Sequence, residues 1–143
     1  DKEVLLIGGA EKCERGIRPW AYSVPGPYVD VVAPSKDIFI LVPLYLPGMK
    51  NQNVAGTSLS APIAAGVVAL MRSYAPPTKS MLKKPGLYIY LVTEALQKTA
   101  KLKELGMFEP SEAAGHGLID ALAAIRKIKE RMKKPYQRPE YPK

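Results

Sequence analysis

The sequence predicts an α/β fold, and three observations carry that expectation. Short runs bounded by turn residues, Val4–Ile7, Val29-Asp-Val-Val-Ala33 and Ile38–Val42, read as strands, and the unbroken hydrophobicity of the first suits a sheet covered on both faces. Apolar segments of helical period follow them, as in layered α/β domains. The chain's 143 residues, 47% hydrophobic and 24% charged, suffice for one domain with a real core.

Val4–Ile7 followed by Gly8-Gly9 reads as a buried strand ending in a turn. Residues 11–28 read as irregular, broken by Gly16, Pro19, Pro25, Gly26 and Pro27. The second strand, 29–33, is stopped by Pro34, and the third runs over 38–42. Pro43, Pro47 and Gly48 punctuate a loop, and 51–55 returns as an extended segment. From Ser58 the pattern changes. Ile63–Met71 is apolar on every side, with small residues at 61, 64, 65, 66 and 69, which predicts a fully buried helix ended by Arg72 and Pro76-Pro77. Pro85 opens a second helix with an apolar stripe at Tyr88, Leu91, Val92 and Ala95, although 87–92 alone would also suit a strand. A last helix spans about 119–133, with Leu118, Leu122, Ile125 and Met132 on its inner face and Asp120 supporting its start. Pro135, Pro139 and Pro142 mark residues 134–143 as an extended basic tail or linker.

The formal charge of +8 is concentrated at the end. Residues 126–143 hold eight basic and two acidic side chains, against thirteen and eleven in residues 1–125. Contact with nucleic acid or an acidic membrane surface is the rival reading of that tail. Proline and glutamate dilute its charge, so a solvated helix face followed by a linker is favoured and no nucleic-acid partner is expected. One cysteine, Cys13, and one histidine, His116, exclude a disulfide framework and an ordinary Cys/His zinc site. The start, Asp1 to Leu6, is no signal peptide, and a first residue other than Met suggests a piece of something larger. The long uncharged stretch 54–71 is too interrupted by Gly, Thr, Ser and Pro to predict a membrane span.

The segment that carries chemistry is Ala55-Gly-Thr-Ser-Leu-Ser-Ala-Pro62. Gly56 permits a tight turn before the helix, and Ser58 then falls in its first turn. Free N–H groups and the positive end of the helix dipole favour negative charge there. A hydroxyl so placed can be a nucleophile, with an adjacent N–H to stabilise an oxyanion, if a base lies within reach. The simpler reading is that Thr57, Ser58 or Ser60 caps the helix. Pro62 is tolerated only in or beside the first turn.

Gly56-Thr-Ser-Leu-Ser-Ala-Pro62 followed by a small-residue apolar helix resembles the nucleophile segment of the subtilisin-like serine proteases, typically G-T-S-M-A-x-P. Three further matches keep the family's order: the Val4–Gly9 strand, Val29-Asp-Val-Val-Ala-Pro34, and Thr99-Ala100 with Gly115-His-Gly-Leu-Ile-Asp120. The Gly-His-Gly-Leu-Ile form is reminiscent of the pyrolysin and tripeptidyl peptidase II branch. The resemblance implies that residues 1–133 are the C-terminal part of a subtilisin-like catalytic domain, a three-layer fold with a mostly parallel sheet and a central nucleophile helix. It implies Ser58 as nucleophile and one oxyanion donor, with Gly56 and Thr57 shaping the turn, and a peptide or protein substrate. Leu59 and Ser60 stand where Met-Ala is usual. The family's Asp, His and oxyanion Asn precede the strand where this chain starts. The remainder of the domain is therefore an implied partner, the chain alone is expected to be inactive, and apolar surface meant for that remainder should lie open. The resemblance also implies an extracellular or cell-surface setting. A degenerate scaffold serving as a binding module is the alternative to a working protease.

Other candidates carry less. Serine, acid and His116 follow the order of α/β-hydrolases, with Glu94, Glu104 and Glu112 between, but the G-x-S-x-G elbow is missing. The resemblance places His116 in a structural turn. No cofactor is identifiable. Asp30 and Asp37 suggest calcium only through family habit, and two separated carboxylates are more often solvated or paired. Trp20, Tyr88 and Tyr90 read as core or surface aromatics, and Cys13 as incidental.

Overall fold

The structure is a computed structural model, and it describes residues 4–42 and 52–133. The loop around Pro43, Pro47 and Gly48 and the tail 134–143 lie outside the described residues. Strand β1 (Ile7–Cys13) lies between β2 (Gly16–Pro19), antiparallel to it, and β3 (Val31–Pro34), parallel to it. Residues 117–119 extend this mixed sheet beyond β3: Val32 N–H donates to Gly117 O and Ile119 N–H to Val32 O, both at 2.9 Å. Strands β4 (Ile38–Ile40) and β5 (Gln52–Val54) form a separate antiparallel pair.

The first strand starts where the sequence reading ended it. Val4 and Leu6 are exposed, and Gly8-Gly9 lie inside β1 rather than in a turn. A strand glycine can mark a close approach of neighbouring groups. A Cβ on Gly9 would sit 2.6 Å from Ser35 Oγ, so the small residue belongs to the packing and does not punctuate it. Residues 11–28, expected to be irregular, begin with the rest of β1 and a two-residue hairpin at Glu14-Arg15 into β2. Antiparallel pairing there needs no apolar run, which is why the pattern concealed it.

Val31 and Val32, adjacent and both fully buried, point to opposite faces of the sheet. Val31 joins the larger core with Val67 and Met71 of α1 (Thr57–Tyr74), Leu91, Val92 and Leu96 of α3 (Pro85–Thr99), and Ile128 of α4 (Ala121–Met132). Val32 joins a smaller one with Ala10, Leu105 and Ala114. A short α2 (Lys79–Leu82) connects α1 to α3, capped by Thr78, whose Oγ1 accepts from Met81 N–H. The α3 stripe is as the spacing predicts: Tyr88, Leu91, Val92 and Ala95 are buried, and the Tyr88 hydroxyl donates to Ala75 O at 3.0 Å. On α4 the buried stripe is Ala124 and Ile128, with Leu122 57% exposed. Leu118, assigned with Leu122 to one helical face, precedes the helix and pairs with Val32. Asp120 caps α4 as expected, its Oδ1 accepting from Ala123 N–H at 3.0 Å.

Helix α1 departs from full burial. Ser60, Ala64, Val67 and Met71 face the sheet, while Ala61, Pro62, Ala65, Gly66, Ala69 and Leu70 are exposed. An apolar helix packed on one side only is the open surface anticipated from the sequence.

Gly115 is held by its surroundings: its φ is 54°, and a Cβ would lie 2.5 Å from the carbonyl oxygens of Val29 and Asp30. Gly115→Ala is expected to cost about 3 kcal/mol or more, combining left-handed strain with a backbone clash. Gly66→Ala, at an exposed mid-helix site where a Cβ meets nothing within 4 Å, should instead raise stability by up to about 1 kcal/mol. Urea-unfolding midpoints check the pair, and shifts of the same sign would contradict the assignment.

Candidate active site

The parallel pairing of β1 and β3 ends at Ala10 opposite Pro34, where β3 stops and β1 continues to Cys13 beside β2. Ser35, just beyond, is fully buried, and both its N–H (2.9 Å) and its Oγ (3.0 Å) donate to Ala10 O. Its carbonyl accepts from Gly56 N–H at 2.7 Å, which brings the chain back to the sheet after the β4–β5 pair. Helix α1 starts one residue later. Ser60, fully buried, directs its hydroxyl at the carbonyls of Ala33 and Pro34, 3.1 Å from each.

Ser58, the second residue of α1, is exposed. The first turn leaves its N–H without an acceptor inside the helix, and the dipole there favours negative charge. The helix start carries no side-chain cap, so neither Thr57, Ser58 nor Ser60 fills the capping role weighed from the sequence. Gly56 is the N-cap in extended backbone, at φ 160°, and a Cβ on it would meet only ordinary contacts at 3.8 Å. The tight glycine turn expected there is therefore not required by the local geometry. Pro62 is the sixth helical residue, beyond the first turn, and it has no N–H to offer the Ser58 carbonyl.

His116 is at the other end of the sheet. Its N–H donates to Asp30 O at 2.8 Å, and its Nδ1 lies 3.1 Å from the same oxygen. Asp30 precedes β3, whereas α1 is tied to the strand's last residues; the four residues of β3, at about 3.3 Å each, separate the two. Ser58 and His116 are not brought together. Glu94, one acid that a serine–acid–histidine order would have used, pairs with Arg131 at 3.3 Å. Asp30 is fully buried, its carboxylate accepting from Leu6 N–H (2.9 Å) and Gln97 Nε2 (2.8 Å), so it fastens α3 to the sheet. Among the described residues no group of three or more His, Cys, Asp or Glu side chains is arranged to hold a metal ion.

The sequence does not single out Ser35, and it offers Ser60 only as a candidate cap and as a residue standing where Ala is usual. Neither carries a signal of its own, because a hydroxyl that bonds a distant carbonyl reads the same as one in solvent.

The strand ends also carry charge. Glu11, 4% exposed, meets Arg18 Nε and Lys36 Nζ, each at 2.9 Å. The hydrogen bond from Lys36 holds the Glu11 carboxyl below its ordinary range against the opposing pull of burial, with Arg18 adding to the lowering. The pair raises the Lys36 ammonium in return. Asp120 is lowered in the same sense, first by Ala123 N–H and then by Lys101, 3.1 Å away.

Against known proteins, a family model described as the subtilase family, Peptidase S8, matches residues 2–117. The chain belongs to the subtilase family. Mycosin-4 of Mycobacterium tuberculosis is 30% identical over 133 residues, which are 87% of this chain and 26% of that protein. Mycosin-3 of the same organism is 32% identical over 117 residues, 76% of this chain and 23% of its own length. The chain thus spans about a quarter of the length of these curated relatives. Among solved structures, the serine protease MycP1, described as an essential component of the type VII (ESX-1) secretion system, superposes with a TM-score of 0.61 at 30% identity, over 85% of this subtilase chain and 31% of its own. Fervidolysin from Fervidobacterium pennivorans, a keratinolytic enzyme related to subtilisin, gives 0.71 at 22% identity over 86% of this chain and 19% of its own, a likeness of fold. The relatives named are mycosins, MycP1 and fervidolysin, and they lend no support to the pyrolysin and tripeptidyl peptidase II branch.

A carboxylate lowered on folding stabilises above its ordinary pKa, and that contribution is lost as pH falls through the folded value. The urea midpoint should therefore drop on acidification below Glu11's ordinary 4.5. Glu11→Gln should lower the midpoint at pH 7 and make the acid-side drop shallower. An acid-side profile identical to wild type would contradict the role given to Glu11.

Proposed function

We propose that this chain is the nucleophile-bearing portion of a subtilisin-like serine endopeptidase, hydrolysing peptide bonds through an acyl-enzyme on Ser58. The observation that carries the reading is an exposed serine, free of any capping role, in the first turn of a helix seated at the carboxyl end of β3, where its parallel pairing with β1 ends. The family assignment adds a peptide or protein substrate.

In the proposed reaction Ser58 Oγ attacks the scissile carbonyl carbon and gives its proton to an imidazole supplied from outside this chain. The carbonyl oxygen becomes an oxyanion facing the Ser58 N–H, with a second donor also supplied from outside. The carbon–nitrogen bond then breaks as the imidazolium protonates the departing amine. Water, deprotonated by the same imidazole, releases the acid and restores Ser58. His116 takes no part, because its contacts with Asp30 keep it at the far end of the sheet.

The remainder of the catalytic domain is the proposed partner of the outer face of α1. That face presents small and apolar side chains, and the chain spans a minor share of each relative named. No helix among the described residues is long and apolar enough to cross a membrane. An extracellular or cell-surface setting is part of the proposal, supported by MycP1's description as a secretion-system component.

The test is covalent labelling by a fluorophosphonate. The 143-residue chain alone should be inert, since loss of the base costs about 10⁶ in turnover, a figure that comes from subtilisin, itself a relative. Joined to its upstream segment, the chain should label at Ser58, and Ser58→Ala should abolish the label. Rapid labelling of Ser58 in the isolated chain would refute the division of the machinery, and labelling of the joined form at another residue would refute the nucleophile.

A further inference from the structure

We infer that Ser60 is a positioning residue for Ser58, an inference that rests on Ser58 being the nucleophile. Two restraints usual at a helix start are missing from α1. No side chain caps it, and Pro62 leaves the Ser58 carbonyl without its partner from the next turn. Two contacts flanking Ser58 take their place. Before it, Gly56 N–H donates to Ser35 O at 2.7 Å. After it, the Ser60 hydroxyl reaches Ala33 O and Pro34 O, 3.1 Å from each.

Ser60 is fully buried, and a buried hydroxyl is costly unless it is bonded. The nucleophile segments this chain resembles typically carry Ala at that place, where no such bond exists. Here the hydroxyl joins the turn that carries the nucleophile to the strand that fixes its place in the sheet. Without it the turn is held from the Gly56 side alone, and Ser58 Oγ can drift relative to a base fixed on another segment. Orientation of reacting groups is steep in energy, so a small drift is felt in the acylation rate while substrate binding elsewhere is not.

The experiment uses the complete catalytic domain containing this chain, in four forms: wild type, Ser60→Ala, Ser60→Thr and Ser60→Cys. Two measurements are made on the folded fraction of each, the rate of fluorophosphonate labelling at Ser58 and the steady-state split between kcat and KM. Ser60→Ala should slow labelling and kcat about tenfold with KM little changed, the scale of one net hydrogen bond. Ser60→Thr, which keeps a hydroxyl, should recover most of the rate, and Ser60→Cys, a weaker donor of similar size, should fall between. Wild-type rates in Ser60→Ala, even with a lower melting temperature, would overturn the inference and leave Ser60 a packing residue. Should Ser60→Ala fail to fold, the Cys variant decides: slowed labelling supports the inference, and the wild-type rate overturns it. A wild type that labels anywhere but Ser58 removes the nucleophile itself and this inference with it, a result separate from any effect of the Ser60 variants.

Discussion

The carbonyls at the carboxyl end of β3 are captured by the start of α1, a segment distant from them in sequence. Ala33 O and Pro34 O face the Ser60 hydroxyl, and Ser35 O accepts from Gly56 N–H, more than twenty residues downstream. Ser35 is in turn fastened to Ala10 O of β1. A parallel sheet leaves such groups projecting beyond its strands, and a helix start leaves N–H groups without partners. Joining the two edges satisfies several of these groups and places the positive end of α1 over the strand ends. The exposure and orientation of Ser58 follow from that junction.

The opposite end of the sheet is built for rigidity. Asp30 accepts from Leu6 N–H and Gln97, His116 closes onto the Asp30 carbonyl, and Gly115 fits where a Cβ would strike backbone. The proposed nucleophile and the structural closure thus sit at different ends of the same four-residue strand. Helix α1 places one face in the main core and leaves the other exposed, so the proposed nucleophile lies beside the face that the proposed partner would cover.

Much of this was legible in the residues. The α3 stripe at Tyr88, Leu91, Val92 and Ala95 and the Asp120 cap of α4 are local, and local patterns record local structure. The Gly-Thr-Ser segment and its three ordered companions pointed to the family that the comparisons then showed. What misled was long-range. Gly8-Gly9 looked like a turn because the neighbours requiring glycine, Val32 and Ser35, lie more than twenty residues away. Leu122 was assigned to the core of α4 on hydrophobicity, yet the smaller Ala124 fits against α1 and α3 and Leu122 stays outside. The uniform greasiness of α1 indicates burial on all sides, and among the described residues only one side of it is packed. The anchoring roles of Ser35 and Ser60 were invisible, since their acceptors are backbone carbonyls that any residue could provide.

A structure of the complete domain with a peptidyl boronic acid tests the central claim most directly. The account predicts a tetrahedral boronate bonded to Ser58 Oγ, one of its oxygens within hydrogen-bond distance of Ser58 N–H, beside an imidazole contributed from outside residues 1–143. An unmodified Ser58 with the boronate elsewhere, or His116 as the imidazole at the adduct, would contradict it.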